Sequence, residues 1–423
     1  MARTKKLTAH DVFTPSSFPE HTYVPRADDD LEEKLRFALK TKGQIVSLSG
    51  PSKSGKTVLV EKVVGKEHLI PVVGAGVREP DAIWTRVLDW LDEPDESTGS
   101  KGRQLRTYAR AGVRAGGDIV LARAEGDVNV GVLQGTVQGE TKKRRGLEQV
   151  IEEVADSEYV VLVDDFHYMT REVQIEVAKQ LKEAARRDVR IVTAAVPHRA
   201  DDIVRALPEL RGRVSAVDVG YWKKEELARI AEAGFAALEV RIDEGSALRL
   251  AVEAAGSPQL MQALCLYACF VLGTTEALGK KESRTLTDRD HAQTCRLTST
   301  VTDFRSLVDV LDAGPRGGER KTYVFVDGTS GDVYRAILKA MAAEPMRLSF
   351  DYEDLLARVR AVCSGESPPG SSIVLACAHL AKLAADHLPT TRVVEWDEPK
   401  QVLDVPDPYL LFYLRWSDRL LQA

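Results

Sequence analysis

The sequence predicts an α/β protein: a parallel β-sheet covered by helices on both faces, then a helical block, then a small domain of three helices and a hairpin. Three observations carry this. A short apolar run, a glycine-rich loop and a helix follow one another in "GQIVSLSGPSKSGKTVLVEKVVG". Strand-like runs then alternate with amphipathic helices to about residue 220, the pattern of a parallel sheet with both faces buried. After Tyr221 the strand signal stops, and "KKEELARIAEAGFAALE", "GSALRLAVEAAG" and "PQLMQALCLYACFVLG" read as helices.

Taken in order, "QIVSLS" is a strand and "TVLVEKVV" a helix stopped by Gly65. "HLIPVVGAG" is a second strand, and in "DAIWTRVLDWLDEP" the residues Ile83, Val87, Leu88 and Leu91 share one helical face. Residues 101–145 carry a basic excess and read as an insertion, a basic helix followed by a hairpin. "GLEQVIEEVADS" is a helix, and "YVVLVDD" a buried strand ending in two carboxylates. An amphipathic helix, "REVQIEVAKQLKEAARR", precedes the strands "VRIVTAAVP" and "RVSAVDVG". The polar stretches "TTEALGKKESRTLT" and "GPRGGERK" place a boundary near 315 to 325. Beyond it come helices at "DVYRAILKAMAA", "YEDLLARVRAVC" and "SSIVLACAHLAKLAADH", then two strands joined through "DEPK", a winged-helix pattern.

Composition is that of an ordinary globular protein, 44% hydrophobic and 29% charged over 423 residues. A formal charge of -6 argues against a chain that coats nucleic acid along its whole surface. The five cysteines form no C-x-x-C pair, and Cys265 and Cys269 read as packing residues one helical turn apart. The N-terminus lacks an apolar signal-type run, and no window approaches the roughly 18 apolar residues of a membrane span, so no membrane and a cytoplasmic location are expected.

The chemistry starts at Gly50-Pro51-Ser52-Lys53-Ser54-Gly55-Lys56-Thr57, which fits G-x-x-x-x-G-K-[ST]. Its glycines let backbone approach phosphate, and N–H groups at the helix start, through Val58, point at the anion. Lys56 supplies charge to the outer phosphates and the Thr57 hydroxyl a ligand for Mg2+. The second metal anchor is expected at Asp164, with Asp165 activating water; the alternative is a carboxylate pair capping the next helix. Thr193 either contacts the outer phosphate or satisfies nearby backbone. No N-K-x-D guanine reader and no L-S-G-G-Q signature occur, which excludes the GTPase and transporter readings.

With these residues in place, the chain resembles the STAND branch of AAA+-related P-loop ATPases, within it the archaeal-type ATPases that end in a winged helix. The likeness rests on "YVPRADDDLEEKL", the phosphate loop, "VVLVDD", "GSPQL" and "VLDVPDPYLLFYLRWS". It implies that Tyr23, Val24 and Arg26 border an adenine pocket, with Pro25 standing where the family has glycine, and that Pro258 touches the base from a helical lid. Gln259 stands where an AAA+ sensor arginine is expected. Arg211 and Arg213 lie where relatives put an arginine for a neighbour's nucleotide, with pairing to a surface acid as the bland reading of Arg213. The aromatic face of Tyr409, Phe412, Tyr413 and Trp416 reads as packing.

The resulting layout is an N-terminal segment at 1–42, an ATPase core at 43–220, a lid at 221–320 and a winged-helix domain at 321–423. The resemblance implies an ATP/ADP- and Mg2+-dependent switch, slow and regulated, that forms a homo-oligomer. Because the chain ends soon after Trp416, its effector is expected to be a separate polypeptide, as in bacterial defence or stress signalling. Two alternatives stand beside this. One is a DNA-handling AAA+ ATPase of the replication or transposition kind, its phosphate contacts coming from Arg103, Arg106, Arg110, Lys142, Lys143, Arg144 and Arg145 of the insertion. The other is a module that holds ATP and hardly hydrolyses it.

Overall fold

The computed structural model describes residues 6–26, 30–92, 138–196, 202–317, 320–388 and 393–421. Of the insertion expected at 101–145, residues 101–137 lie outside the described residues, as do the side chains of Lys142, Lys143, Arg144 and Arg145, while 138–145 are helical where the hairpin was expected to end. A short helix α1 (Ala9–Val12) and α2 (Leu31–Lys40) precede β1 (Ile45–Ser49), which leads through the glycine-rich loop into α3 (Lys56–Val64). Then come β2 (Leu69–Val73), α4 (Ala82–Asp92), α5 (Gln138–Val154), β3 (Val160–Asp164), α6 (Arg171–Arg186), β4 (Arg190–Ala195), α7 (Asp202–Ala206) and β5 (Val214–Asp218). Helix α5 starts before the predicted "GLEQV", running back over "QGETKKRR", because Gln, Glu, Lys and Arg are good helix formers.

The five strands pair in parallel in the order β2-β3-β4-β1-β5. All five positions of β1 are buried, as expected of a central strand with helices on both faces. One face packs on α2 and α3 through Leu35, Leu48, Val60 and Leu162, the other on α4, α5 and α6 through Ile70, Trp84, Val150, Val163 and Leu181. Strand β4 therefore lies between β1 and β3. The glycine-rich loop and the acidic strand end project from the same edge of the sheet, one strand apart.

The lid comprises α8 (Lys224–Ala237), β6 (Val240–Ile242), α9 (Glu244–Glu253), α10 (Pro258–Val271), β7 (Glu282–Arg284), α11 (Asp288–Ser299) and α12 (Arg305–Ala313). The C-terminal unit has β8 (Tyr323–Val324), β9 (Ser330–Gly331), α13 (Val333–Ala342), β10 (Ser349–Asp351), α14 (Tyr352–Val362), α15 (Gly370–His387), β11 (Glu395–Asp397), β12 (Val402–Asp404) and α16 (Pro408–Trp416). Strand β12 pairs antiparallel with both β11 and β10, so three helices carry a three-stranded wing, one strand more than expected. Lid and C-terminal unit are not packed separately. Phe235, Leu264, Leu311, Ile337, Phe350 and Phe412 belong to one continuous apolar core.

The N-terminal arm is pinned to the lid by Phe13, 1% exposed, whose ring meets Phe235 edge-on at 5.5 Å. Gly234 in α8 makes room for it: a methyl there would overlap the Phe13 ring and come within 2.8 Å of Thr22 Cγ2. Alanine in a helix interior normally stabilises, yet here overpacking outweighs propensity. Gly234→Ala is expected to cost on the order of 1–3 kcal/mol. A thermal denaturation midpoint at or above wild type would contradict this.

Candidate nucleotide site

The phosphate loop is shaped by close approach. A Cβ on Gly50 would stand 2.9 Å from Val219 Cβ, and Gly55, which starts α3, has φ of 89°. Both glycines are therefore required. Side chains from the loop itself and from the lid side hold its carbonyls. Lys56 Nζ donates to the Gly50 and Pro51 oxygens at 2.9 and 2.8 Å, Ser257 Oγ to the Lys53 oxygen at 3.2 Å, and Trp222 Nε1 to the Ser54 oxygen at 2.9 Å. A glycine-rich loop running into a helix start is the backbone arrangement that meets an anion through its N–H groups. The Ser54 hydroxyl is buried and has no hydrogen-bond partner among the described residues, a further donor beside the loop.

Asp164 ends β3, and Thr57 Oγ1 donates to its Oδ2 at 3.1 Å across 107 positions of chain. The next residue, Asp165, sits at φ of 56°, and its N–H donates to Asp164 Oδ1 at 2.9 Å. Burial, with the neighbouring Asp164 charge, raises the Asp165 carboxyl to about 6, while Lys56 pulls it down. Burial also lowers the Lys56 ammonium, against the upward pull of both aspartates. Beneath the pair, Gly74 N donates to the Asp164 oxygen at 2.7 Å, and a Cβ on Gly74 would stand 2.8 Å from that oxygen. The glycine after β2, in "VVGAG", was visible in the sequence; its service to the acidic pair was not.

A hydroxyl and a carboxylate oxygen brought into contact are the hard donors Mg2+ takes. Among the described residues no group of three or more His, Cys, Asp or Glu side chains forms a metal cage. A divalent ion here would be held by Thr57 and Asp164 and complete its shell with phosphate and water, as Mg2+ does. When bound, it would neutralise phosphate charge.

The loop from Ser52 to Val58 lines a cavity of about 650 Å³ that runs on to the N-terminal arm and the lid. Tyr23 stacks on Phe18 at 6.0 Å and 10°, carries the Lys62 ammonium 4.9 Å over its ring, and donates its hydroxyl to Glu32 at 2.8 Å. Val24 is 8% exposed at the cavity wall. Arg26 spends its guanidinium on the Tyr221 oxygen at 3.3 Å, on the Val219 oxygen and on Glu226 at 3.4 Å, and lies 5.5 Å over Trp222. It clamps arm to lid, and so shapes the cavity through the groups it holds. Pro258 opens α10 under the Ser257 cap and reaches the loop, its Cγ 3.8 Å from where a Cβ on Gly55 would be; Gln259 lines the cavity beside it.

Two expected residues are not brought to this cavity. Thr193 lies opposite Ser47, two positions short of the end of β4, is 3% exposed, and its hydroxyl donates to the Val46 oxygen at 3.5 Å. It satisfies backbone inside the sheet. This corrects the reading of Thr193 as a phosphate contact: the residue sits below the strand ends. Arg213 is at the far end of the sheet, where its carbonyl accepts from Ile45 N at 2.9 Å, and both it and Arg211 are exposed. Neither can reach the phosphates of its own chain.

Sequence reasoning missed Trp222, Ser257 and Asp407, all of which grip the loop. The aspartate accepts from Lys53 Nζ at 2.7 Å. The five cysteines are free and buried, with burial pushing the Cys265, Cys269, Cys295 and Cys377 thiols far up. No helix of the described residues is long and apolar enough to cross a membrane.

No family model and no curated protein matches the chain. Solved structures do. A Walker-type ATPase of Pyrococcus abyssi is 14% identical, with 98% of this chain and 99% of that chain covered and a TM-score of 0.50. The ORC2 protein of Aeropyrum pernix, solved as ADPNP–ADP complexes, is 12% identical at a TM-score of 0.47, with 99% of each chain covered. Cdc6p of Pyrobaculum aerophilum is 13% identical at 0.44, again over 99% of each chain. With its parallel sheet order and its strand–glycine-rich loop–helix, the chain has the α/β fold of a P-loop, Walker-type ATPase.

Proposed function

We propose that the chain is an ATP-binding and ATP-hydrolysing switch of the STAND/AAA+ type that acts on a separate partner protein. One observation carries the reading: Thr57 and Asp164, far apart in sequence, touch beside Lys56 in the wall of a cavity that arm and lid also line. In this reading Lys56 leaves the loop carbonyls for phosphate, and Thr57 and Asp164 hold Mg2+. Asp165 takes the proton of the attacking water. The fold shared with a Walker-type ATPase supports it. Arg211 and Arg213, exposed and remote from their own site, suit a role toward a second copy in a homo-oligomer.

A nucleotide-driven change is energetically reasonable. Moving a population from 1:99 to 99:1 takes about 5.5 kcal/mol of differential binding. The winged helix favours protein over DNA as its contact. Its third helix, α15, offers few cations; His379 is engaged by the Tyr334 hydroxyl at 2.7 Å and His387 by Ser306 at 3.0 Å, while Leu375 is 59% exposed. A groove-reading helix normally presents arginines, lysines and amides.

The test is calorimetry with ATP in magnesium buffer, followed by phosphate release with and without EDTA. Binding heat and metal-dependent release are expected. Titration with duplex and single-stranded DNA at two salt concentrations checks the rival, and salt-dependent binding there would favour it.

A further inference from the structure

The fourth position of the phosphate loop is Lys53, and its backbone is left-handed, with φ of 60°. A side chain there costs energy that glycine would not. Strain at a ligand loop points to a use for the residue that causes it. Lys53 has two faces. It lines the nucleotide cavity, and its ammonium is held by both Asp407 oxygens at 2.7 Å. It also lies 4.4 Å over the Tyr409 ring, and in the ion pair the Lys53 and Asp407 side chains are 26% and 11% exposed. Asp407 caps α16 and Tyr409 lies in its first turn, so the loop is fastened across 354 positions to the start of that helix of the C-terminal unit. Tyr409 adds a donation to the Gln259 oxygen at 3.4 Å, on the lid.

Resting on the ATP-binding reading above, we propose that Lys53 is the residue through which the third phosphate is sensed. One ammonium is shared between two anions, the Asp407 carboxylate and the outermost phosphate of ATP. When it turns to the phosphate, the C-terminal unit loses its tie to the loop. ADP has no phosphate at that distance and leaves the tie intact. Lys56 binds either nucleotide, whereas Lys53 distinguishes them.

Asp407→Asn isolates the charge. Asn caps a helix as well as Asp, so the cap that Asp407 makes to Tyr409 N at 2.9 Å survives while the competing anion is lost. The expected result, in the full chain with a non-hydrolysable ATP analogue and with ADP, is ATP-analogue binding tightened about tenfold and ADP binding within about twofold of wild type. In a Lys53→Met background the same change is expected to do nothing, because no ammonium is left to share. Spin labels on Lys40→Cys in α2 and Glu398→Cys in the wing turn report the second half of the proposal, since the native cysteines are all buried. Their separation should change with the ATP analogue and not with ADP in wild type, and with neither in Lys53→Met.

An unchanged ATP-to-ADP preference in Asp407→Asn overturns the proposal. So does an equal tightening with and without Lys53, which would show plain repulsion by Asp407. Wild-type chain that binds both nucleotides while these variants behave alike sinks this inference only. Wild-type chain that binds neither takes the ATP-binding reading down with it.

Discussion

Lys56→Ala is expected to weaken binding of ATP and ADP by about a hundredfold or more. Two charge-assisted hydrogen bonds to phosphate, each worth about 1.5–3 kcal/mol, correspond to that factor. The free protein should keep close to its wild-type denaturation midpoint. Losing the hydrogen bonds to the Gly50 and Pro51 oxygens is offset by removing a cation whose burial already lowers its pKa. Calorimetry and a thermal scan on the same preparation separate the two effects. ATP affinity within threefold of wild type would mean that the phosphates sit elsewhere.

Asp165→Asn is expected to cut phosphate release by about 10² to 10⁴, the usual weight of a positioned proton acceptor, and to leave ATP binding intact. Retained turnover would assign the chain to ATP storage or sensing without a hydrolytic cycle. A second readout follows from the raised carboxyl. With a folded pKa of about 6, Asp165 lends stability that is fully present below the ordinary carboxylate pKa and is lost as pH rises through 6. In magnesium-free buffer the Asn variant should therefore gain on wild type at pH 7 to 8, with a midpoint higher by about 2 °C, and not at pH 4. An equal effect at both pH values would show that the change acts through packing, not charge.

Most of the sheet was legible because each strand is an apolar run bounded by glycine or polar residues, and each helix has one apolar face. The loop and "VVLVDD" named their own chemistry. Strands β6 to β10 were missed, since two or three residues carry no periodicity; helix α11 was hidden by its polar composition and the short, amphipathic α12 by its loop-like flanks. Of the two readings open for Thr193 the structure takes the backbone one: the strand continues two positions past it to Ala195, which keeps its hydroxyl inside the sheet. The ties from Trp222, Ser257 and Asp407 to the loop span 168, 204 and 354 positions. No local pattern encodes contacts of that length.

The apolar core that runs without a break from Phe235 to Phe412 has a mechanical consequence. Lid and winged helix cannot slide past each other without opening that interior, so any rotation would carry them together as one arm. The connection from the sheet to that arm is 219–223, between the last sheet strand and α8, where Arg26 and Trp222 make their contacts. A small rotation there, driven from the phosphate end, would sweep the wing tip through the largest arc in the molecule.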